Sequence, residues 1–597
     1  MVAYACPVLE ACLERYAKAS DADDIRYQLS RAATAADMLP LYDRMIPVVE
    51  AAMWASDLAP KDVAACQALF GEREAQQAHC QDLRHKLYVV VPVADRPRHL
   101  RSCLESLVNA VFAFGNKLHR IAVVIADDSC AASSISANQA LARELRQRGF
   151  ETLYFGREEQ QAELARLSDK TREAVRHIID PVQPADFAHK GASTTRNITY
   201  LRLNRLANEE PRALFLFVDS DQEFHANTDA GRTVYTTNYF YHIDRLFSTT
   251  PIEVLTGKVV GDPPVSPAVM AGTLLEDVLA LFREMATLEP DSPCSFHRAS
   301  TSDDDAAYHD MAQLFGFSAS GEAHRYHCDI EGAHDHAACL SRFSRRLQHF
   351  FDGEHPTRVT RYRHVDVQNS WTPARTVYTG NYVLTPETLR YFIPFASLQL
   401  RMAGPVLGRL VQAGSGPAFA SANLPLLHKR TEEETGQSEF RPGIDRAGNE
   451  ADLSGEFERQ YFGDVMLFTV IELVEQGYPD SVLSTDTIKA AIAATDARMR
   501  AQYDETRARV LTRLAKLEAI LEDPAAWWNS AAAAAADSRA RFAAFIASLH
   551  TNFDHDAPAW QLITDPAHHA QRCADMVAAL ASYRMDCHQW RHVLQAS

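Results

Sequence analysis

The chain has 597 residues, 47% of them hydrophobic and 23% charged, and carries a net charge of −18 at pH 7. That length exceeds one ordinary hydrophobic core and implies two or three domains. The acidic balance argues against a general nucleic-acid or anionic-membrane surface, so any phosphate bound here needs a local basic pocket.

The eleven cysteines are scattered without a disulfide-like framework, and no apolar run approaches the ~18 residues of a membrane span. The apolar opening is interrupted by Glu10 and its first arginine is Arg15, unlike a secretory leader. Together these features predict a reduced, cytoplasmic protein with no integral membrane segment.

Residues 1–85 read as helical, with Leu9, Leu13 and Tyr16 at helical spacing. At residue 87 the pattern changes to LYVVVPVADRPRHLRSCLESL. This is an apolar strand that breaks at Pro92, turns through Asp95, Arg96 and Pro97, and becomes a helix through Leu100, Leu104 and Leu107. RIAVVIADDSC, residues 120–130, is a second buried strand ending in Asp127, Asp128 and Ser129. Two such strand-to-helix units predict the start of a doubly wound α/β sheet. KGASTTRN, Lys190 to Asn197, opens a further helix, and LFLFVDSDQEF, residues 214–224, runs an apolar strand into Asp219, Ser220 and Asp221. Alternate residues of an extended chain point to one side, so the two carboxylates can meet one hard cation. An Asp-rich turn is the plainer alternative.

The order of VPVADR, IADDS, KGASTTRN and VDSD resembles the nucleotide-sugar half of GT-A glycosyltransferases, particularly family 2. The resemblance implies a GT-A type, Rossmann-like, doubly wound mixed sheet over residues 86–432, with a helical region at 1–85 and a helical domain at 433–597. It implies a hexose moved from a UDP- or GDP-sugar to a hydroxyl acceptor with Mn²⁺ or Mg²⁺. By the same resemblance Pro92, Val93 and Asp95 flank the base, and Asp127 or Asp128 contacts base or ribose. Lys190 and Arg196 lie near the diphosphate, Asp219 and Asp221 hold the metal, and Ser220 between them contacts the nucleotide sugar. Asp95-Arg96 departs from the family's usual pair at that position, which leaves the base open.

Beyond the metal strand, VLTGKVVGDPPVSP carries Asp262, a candidate base or a turn cap. Residues 268–372 read as an insertion on the acceptor side. Within it His324, His327, Cys328, His334, His336 and Cys339 lie close together, with spacings open to a zinc site or to an acceptor pocket lined by histidines. In YTGNY the resemblance makes Tyr378, Thr379, Gly380 and Asn381 a sugar-placing turn, followed by a helix near Thr385. Where family 2 members carry a general-base carboxylate, this chain reads Ala403, Gly404 and Pro405. Asp262 or one of Asp303, Asp304 and Asp305 then has to serve, or no base is needed, so the stereochemistry is open. His428, after the apolar run in NLPLLHKRT, is the implied third metal ligand, with Lys429 and Arg430 available for phosphates.

The remainder reads as helical. One helix stops at Gly477 and Pro479. Met499, Tyr503, Val510, Leu514, Leu517 and Leu521 form a stripe for a bundle or for a second subunit. A nucleotidyltransferase and a non-catalytic nucleotide-binding scaffold are the rival readings, although VPVADRPRHL lacks the glycine-rich phosphate loop of the former.

Overall fold

Three almost wholly apolar runs form β1 (Lys86–Val93), β2 (Ile121–Asp127) and β4 (Ala213–Val218), and nearly every residue in them is buried. Their side chains divide with a period of two. Tyr88, Val90, Val124, Phe215 and Phe217 enter one apolar cluster, and Leu87, Val89, Val91, Val123, Leu214 and Leu216 enter another. Helix Ala192–Glu209 covers the first face and helix Pro97–Ala113 the second. This is the two-sided burial expected of a parallel α/β sheet. The computed structural model describes residues 6–180, 187–227, 234–297, 324–378, 380–432, 439–447, 450–529 and 533–596.

The other strands are β3 (Glu151–Phe155), β5 (Gln222–Glu223), β6 (Val254–Gly261), β7 (Thr372–Pro373), β8 (Asn381–Leu384) and β9 (Phe419–His428). The sheet runs β3-β2-β1-β4-β8-β6-β9-β5, with β7 also on β9. The pairs β3/β2, β2/β1, β1/β4 and β6/β9 are parallel, and β8 and β5 enter antiparallel. The fold is therefore a mixed α/β sheet with helices on both faces. From β1 the chain moves outward on one side to β2 and β3, then returns to place β4 on the other side. The crevice beyond the carboxyl ends of β1 and β4 is thus a topological switch point, where ligands of such sheets bind.

Two expectations need correction. Strand β1 does not break at Pro92, because Pro92 pairs with Ala126 and Val93 with Asp127, and the ladder to β2 carries the chain two residues further. Thr385 begins only a short 3-10 turn, Pro386–Arg390, with no side-chain cap. The stripe from Met499 to Leu517, on helix Thr485–Leu521, is buried within this chain's own largest apolar cluster, as the bundle alternative expects.

Much of the described part of 268–372 also builds that core. Helix Pro267–Met285 lies against helix Thr485–Leu521, where Arg513 donates to the Gly272 carbonyl at 2.8 Å. The Trp527 indole donates to the Met285 carbonyl at 3.0 Å. Helix His336–Gln348 packs on helix Ala533–Phe553. The four N-terminal helices between Pro7 and Gln77 share a separate cluster with Phe114 and Tyr241, which joins them to the sheet. There the Glu72 carboxylate accepts the Val8 and Leu9 amides at 2.9 and 2.8 Å, satisfying orphan donors of the first helix. Among the described residues no helix is long and apolar enough to cross a membrane.

A cavity of about 140 Å³ lined by Arg73, His85, Arg120, Leu214 and Arg245 lies at the opposite, amino-terminal ends of β1, β2 and β4. It is separate from the carboxylate crevice.

Candidate functional site

The crevice is built on Asp221. After β4 the chain turns, with the Gln222 amide donating to the Asp219 carbonyl at 3.0 Å, and pairs at once with the end of β9 as β5. This sets Asp221 beside His428, and the Lys429 amide donates to the Asp221 carbonyl at 2.9 Å. Arg96, from the turn after β1, reaches Asp221 Oδ2 at 2.8 Å. Arg430 Nη1 lies 3.5 Å and His428 Nε2 3.6 Å from the same oxygen. Burial by itself would raise this carboxyl, but His428, Arg96 and Arg430 outweigh it and hold it well below the usual range. Asp221 is therefore an anion at any physiological pH.

The His428 Nδ1 lies 2.7 Å from the Asp262 carbonyl oxygen, which can only accept, so Nδ1 carries a proton and Nε2 is the nitrogen that faces Asp221. Burial, and then Arg430, pushes its pKa down, and the Asp221 carboxylate opposes them. A neutral imidazole oriented through its other nitrogen by a carbonyl is the usual arrangement of a metal-binding histidine. Asp262 is tied into the same corner. Its amide donates to the His428 carbonyl and its Oδ2 accepts the Arg430 amide, both at 2.9 Å. Burial, then the Glu354 carboxylate, pushes it up to about 7.

Asp219 faces a different neighbour. Its carboxylate pairs with the buried Arg196 guanidinium, and its side chain is 36% exposed. Gly380 abuts it, because a Cβ at position 380 would lie 2.7 Å from Asp219 Oδ2 and 2.6 Å from Gln222 Oε1. Among the described residues Asp219, Asp221 and His428 do not form a group whose ligand atoms all lie within 4.8 Å of one another. Asp221 and His428 are brought together, and Asp219 stands to one side. The donor set suits Mg²⁺ or Mn²⁺, which take few protein ligands and complete their shell with phosphates and water.

The remaining expected residues have different surroundings. Asp127 is buried, and its carboxylate accepts from the Ser129 amide, Asn138 and Tyr154 at 2.8, 2.9 and 2.8 Å, so it orders the loop after β2. Asp128 pairs with Lys190 at 2.5 Å and accepts the Gly191 amide at 3.1 Å, on the first turn of helix Ala192–Glu209. Lys190 is buried and also donates to the Phe187 carbonyl. Asp95, with a left-handed φ of +51°, accepts the Cys130 and Ala131 amides and lies 2.6 Å from His189. Val93 is in the apolar core and Pro92 in the ladder. Ser220 is buried between the two carboxylates. The Asn381 side-chain amide donates to the Lys258 and Leu424 carbonyls at 2.9 and 3.0 Å, joining β6 to β9 across a register shift. Thr379, Asp303, Asp304 and Asp305 lie outside the described residues.

Three groups absent from the sequence reading complete the crevice. Glu456, at the start of helix Ser454–Glu475, is buried and lies 3.4 Å from Arg401 and 3.6 Å from Arg441. Arg401 reaches it because Gly463 has no side chain, since a Cβ there would sit 2.5 Å from the Arg401 carbonyl oxygen. Burial, counteracted by Glu456 but helped by Arg430 and Arg401, pushes the Arg441 guanidinium down to about 9. Four arginines, 96, 401, 430 and 441, thus gather around Asp221 and Glu456, and among the described residues the buried Arg430 Nε has no hydrogen-bond partner. A gathering of guanidinium groups of this kind suits an anionic ligand. Phe440 stacks on His189 with centroids 4.4 Å apart, and its carbonyl accepts from Arg96 at 2.8 Å, so residues 439–447 run across this corner. No local motif marks Arg401, Arg441 or Glu456, which are far apart in the chain.

No protein-family model and no curated protein matches the chain. Among solved structures it is similar to a mannosyltransferase from Pyrobaculum calidifontis in complex with GDP-Man and Mn²⁺, with 9% identity over 90% of this chain and 98% of the other. The TM-score is 0.31, and a likeness that low carries no argument about family or activity. The functional reading rests on the site.

Proposed function

We propose that the chain is a GT-A type glycosyltransferase that moves a hexose from a UDP- or GDP-sugar to a hydroxyl acceptor. The observation that carries this is the convergence of Arg96, His428 and Arg430 on Asp221 at the switch point of the sheet. A sugar diphosphate leaves as an anion, and fixed positive charge at that position stabilises the transition state without any covalent intermediate. Asp221 and His428, with Asp219 beside them, would hold Mn²⁺ or Mg²⁺, which when bound supplies further neutralisation of the leaving diphosphate. Arg96 and Arg430 would bind the phosphates, and Asp262, one hydrogen bond from His428, is the candidate proton acceptor.

A second reading has its own support, because Asp219 stands apart from Asp221 and His428 while four arginines crowd together. In that reading the arginines alone neutralise the diphosphate. The test is a thermal-shift panel of UDP-, GDP-, ADP- and dTDP-sugars with Mn²⁺ and with EDTA, followed by assay of sugar release. Binding raises stability by mass action. Stabilisation by one nucleotide sugar only with Mn²⁺ is expected, and the same shift in EDTA would favour the arginine-only reading. Stabilisation without sugar release would leave a nucleotide-binding scaffold. No shift with any nucleotide would overturn the proposal.

Gly380→Ala gives a local check. Its methyl group must displace Asp219 or Gln222, and a misplacement of this size at a reacting centre typically lowers activity by about 10–100-fold. Metal-dependent nucleotide affinity, measured by titration calorimetry, is expected to fall by a similar factor with little change in far-UV circular dichroism. Wild-type affinity in this variant would remove Asp219 from the metal site.

A further inference from the structure

Away from the crevice, three cysteines from separate segments meet. Cys294 follows helix Pro267–Met285, Cys328 lies in an extended segment, and Cys339 is on the first turn of helix His336–Gln348. Their sulfurs all lie within 4.8 Å of one another, and all three are free thiols. His334 closes the group, with its Nε2 3.2 Å from Cys328 Sγ. Its Nδ1 lies 3.0 Å from the Gly332 carbonyl oxygen, so that nitrogen carries the proton and the Nε2 lone pair faces the thiols. The backbone holds this arrangement from both sides: the Cys294 amide donates to the His334 carbonyl at 2.9 Å and the Cys328 amide to the Phe296 carbonyl at 3.0 Å.

We propose that Cys294, Cys328, Cys339 and His334 form a structural zinc site. A tetrahedral Zn²⁺ with Zn–S of about 2.3 Å separates its sulfurs by just under 4 Å, which the cluster accommodates within 4.8 Å. Three thiolates and one imidazole form a closed coordination shell of the structural kind, and an imidazole whose second nitrogen donates to a carbonyl is already oriented for ligation. Binding releases the three thiol protons and forms three Zn–S bonds and one Zn–N bond, with no change of oxidation state.

The neighbouring histidines have other positions. The His336 ring is held by Ser292, Ser295 and the Glu289 carbonyl. His297 is exposed and stands edge-on to His334 with centroids 4.6 Å apart; it comes within 4.8 Å of Cys294 and His334 but does not group with Cys328 and Cys339. The natural role of the site is to tie helix His336–Gln348 to the segment that follows helix Pro267–Met285. A metal that joins segments distant in the chain stabilises the folded state against the unfolded one.

The test is zinc content by plasma mass spectrometry on full-length protein purified without added metal, together with replacement by Co²⁺. About one zinc per chain is expected, with cobalt protein showing the near-ultraviolet thiolate-to-metal bands and visible d–d bands of a tetrahedral site. Cys339→Ser should lower zinc occupancy at least tenfold, and His297→Ala, which leaves the three sulfurs and His334 in place, should lower it far less. His334→Cys should keep the zinc while strengthening the cobalt–thiolate band, which guards against a variant that merely misfolds. Protein free of zinc that binds no Co²⁺, or a disulfide between any two of the three cysteines in non-reducing mass analysis, would overturn the proposal. The readout is the metal itself, so it stands or falls separately from the nucleotide-sugar reading.

Discussion

Asp221→Asn is expected to lower sugar transfer by about a thousandfold and to abolish metal-dependent nucleotide stabilisation. Loss of several kcal/mol of charge stabilisation at the leaving group corresponds to a factor of this order. The same substitution removes the anion opposite Arg96, His428 and Arg430, so a fall in melting temperature is also expected. Asp219→Asn separates the two effects. Asp219 is partly exposed and among the described residues its ion pair is with Arg196, so its loss should reduce turnover with a smaller thermal penalty. Steady-state sugar release and melting curves on both variants are the measurements. Full turnover in Asp221→Asn would exclude it from the chemistry.

Lys190→Met is expected to act on stability and not on substrate affinity. Lys190 and Asp128 form a buried ion pair, 2.5 Å apart, and removing one partner of such a pair typically costs about 3–5 kcal/mol because the other charge is left uncompensated. Adding Asp128→Asn to Lys190→Met should recover part of the loss, since no buried carboxylate then remains. Denaturant unfolding of the single and double variants measures this. A raised KM for nucleotide sugar at unchanged stability would instead restore Lys190 to the diphosphate, where the resemblance puts it.

Asp127, Asp128 and Lys190 show how a motif can be legible while the work of its residues is not. Their place at strand ends follows from apolar runs that stop at polar residues. Their partners do not, because Asn138, Tyr154 and Gly191 reach them only once helices and strands are stacked. Asn381 is similar, since its amide bridges two strands that lie 123 and 43 residues away in the chain. His428 is the favourable case. An apolar strand ending in a histidine was readable, and the Asp262 carbonyl that orients the ring follows from the pairing of β6 with β9.

The cysteine and histidine cluster was only half readable. Cys328, His334 and Cys339 are close in sequence, but Cys294 lies 34 residues earlier than Cys328 and joins them through backbone hydrogen bonds. His324, His327 and His336 belonged to the sequence cluster and not to the spatial one.

Local chain chemistry determined the buried strands, the doubly wound sheet, the carboxylates after β4 and the histidine after β9, because period-two apolar runs and the polar residues that end them act over a few residues. Tertiary structure alone decided the arginine surround of Asp221 and Glu456, the fourth member of the cysteine cluster, and the burial of the C-terminal stripe. Those depend on which distant segments the packed core brings together, and charge pairing and metal ligation act through space without regard to separation along the chain.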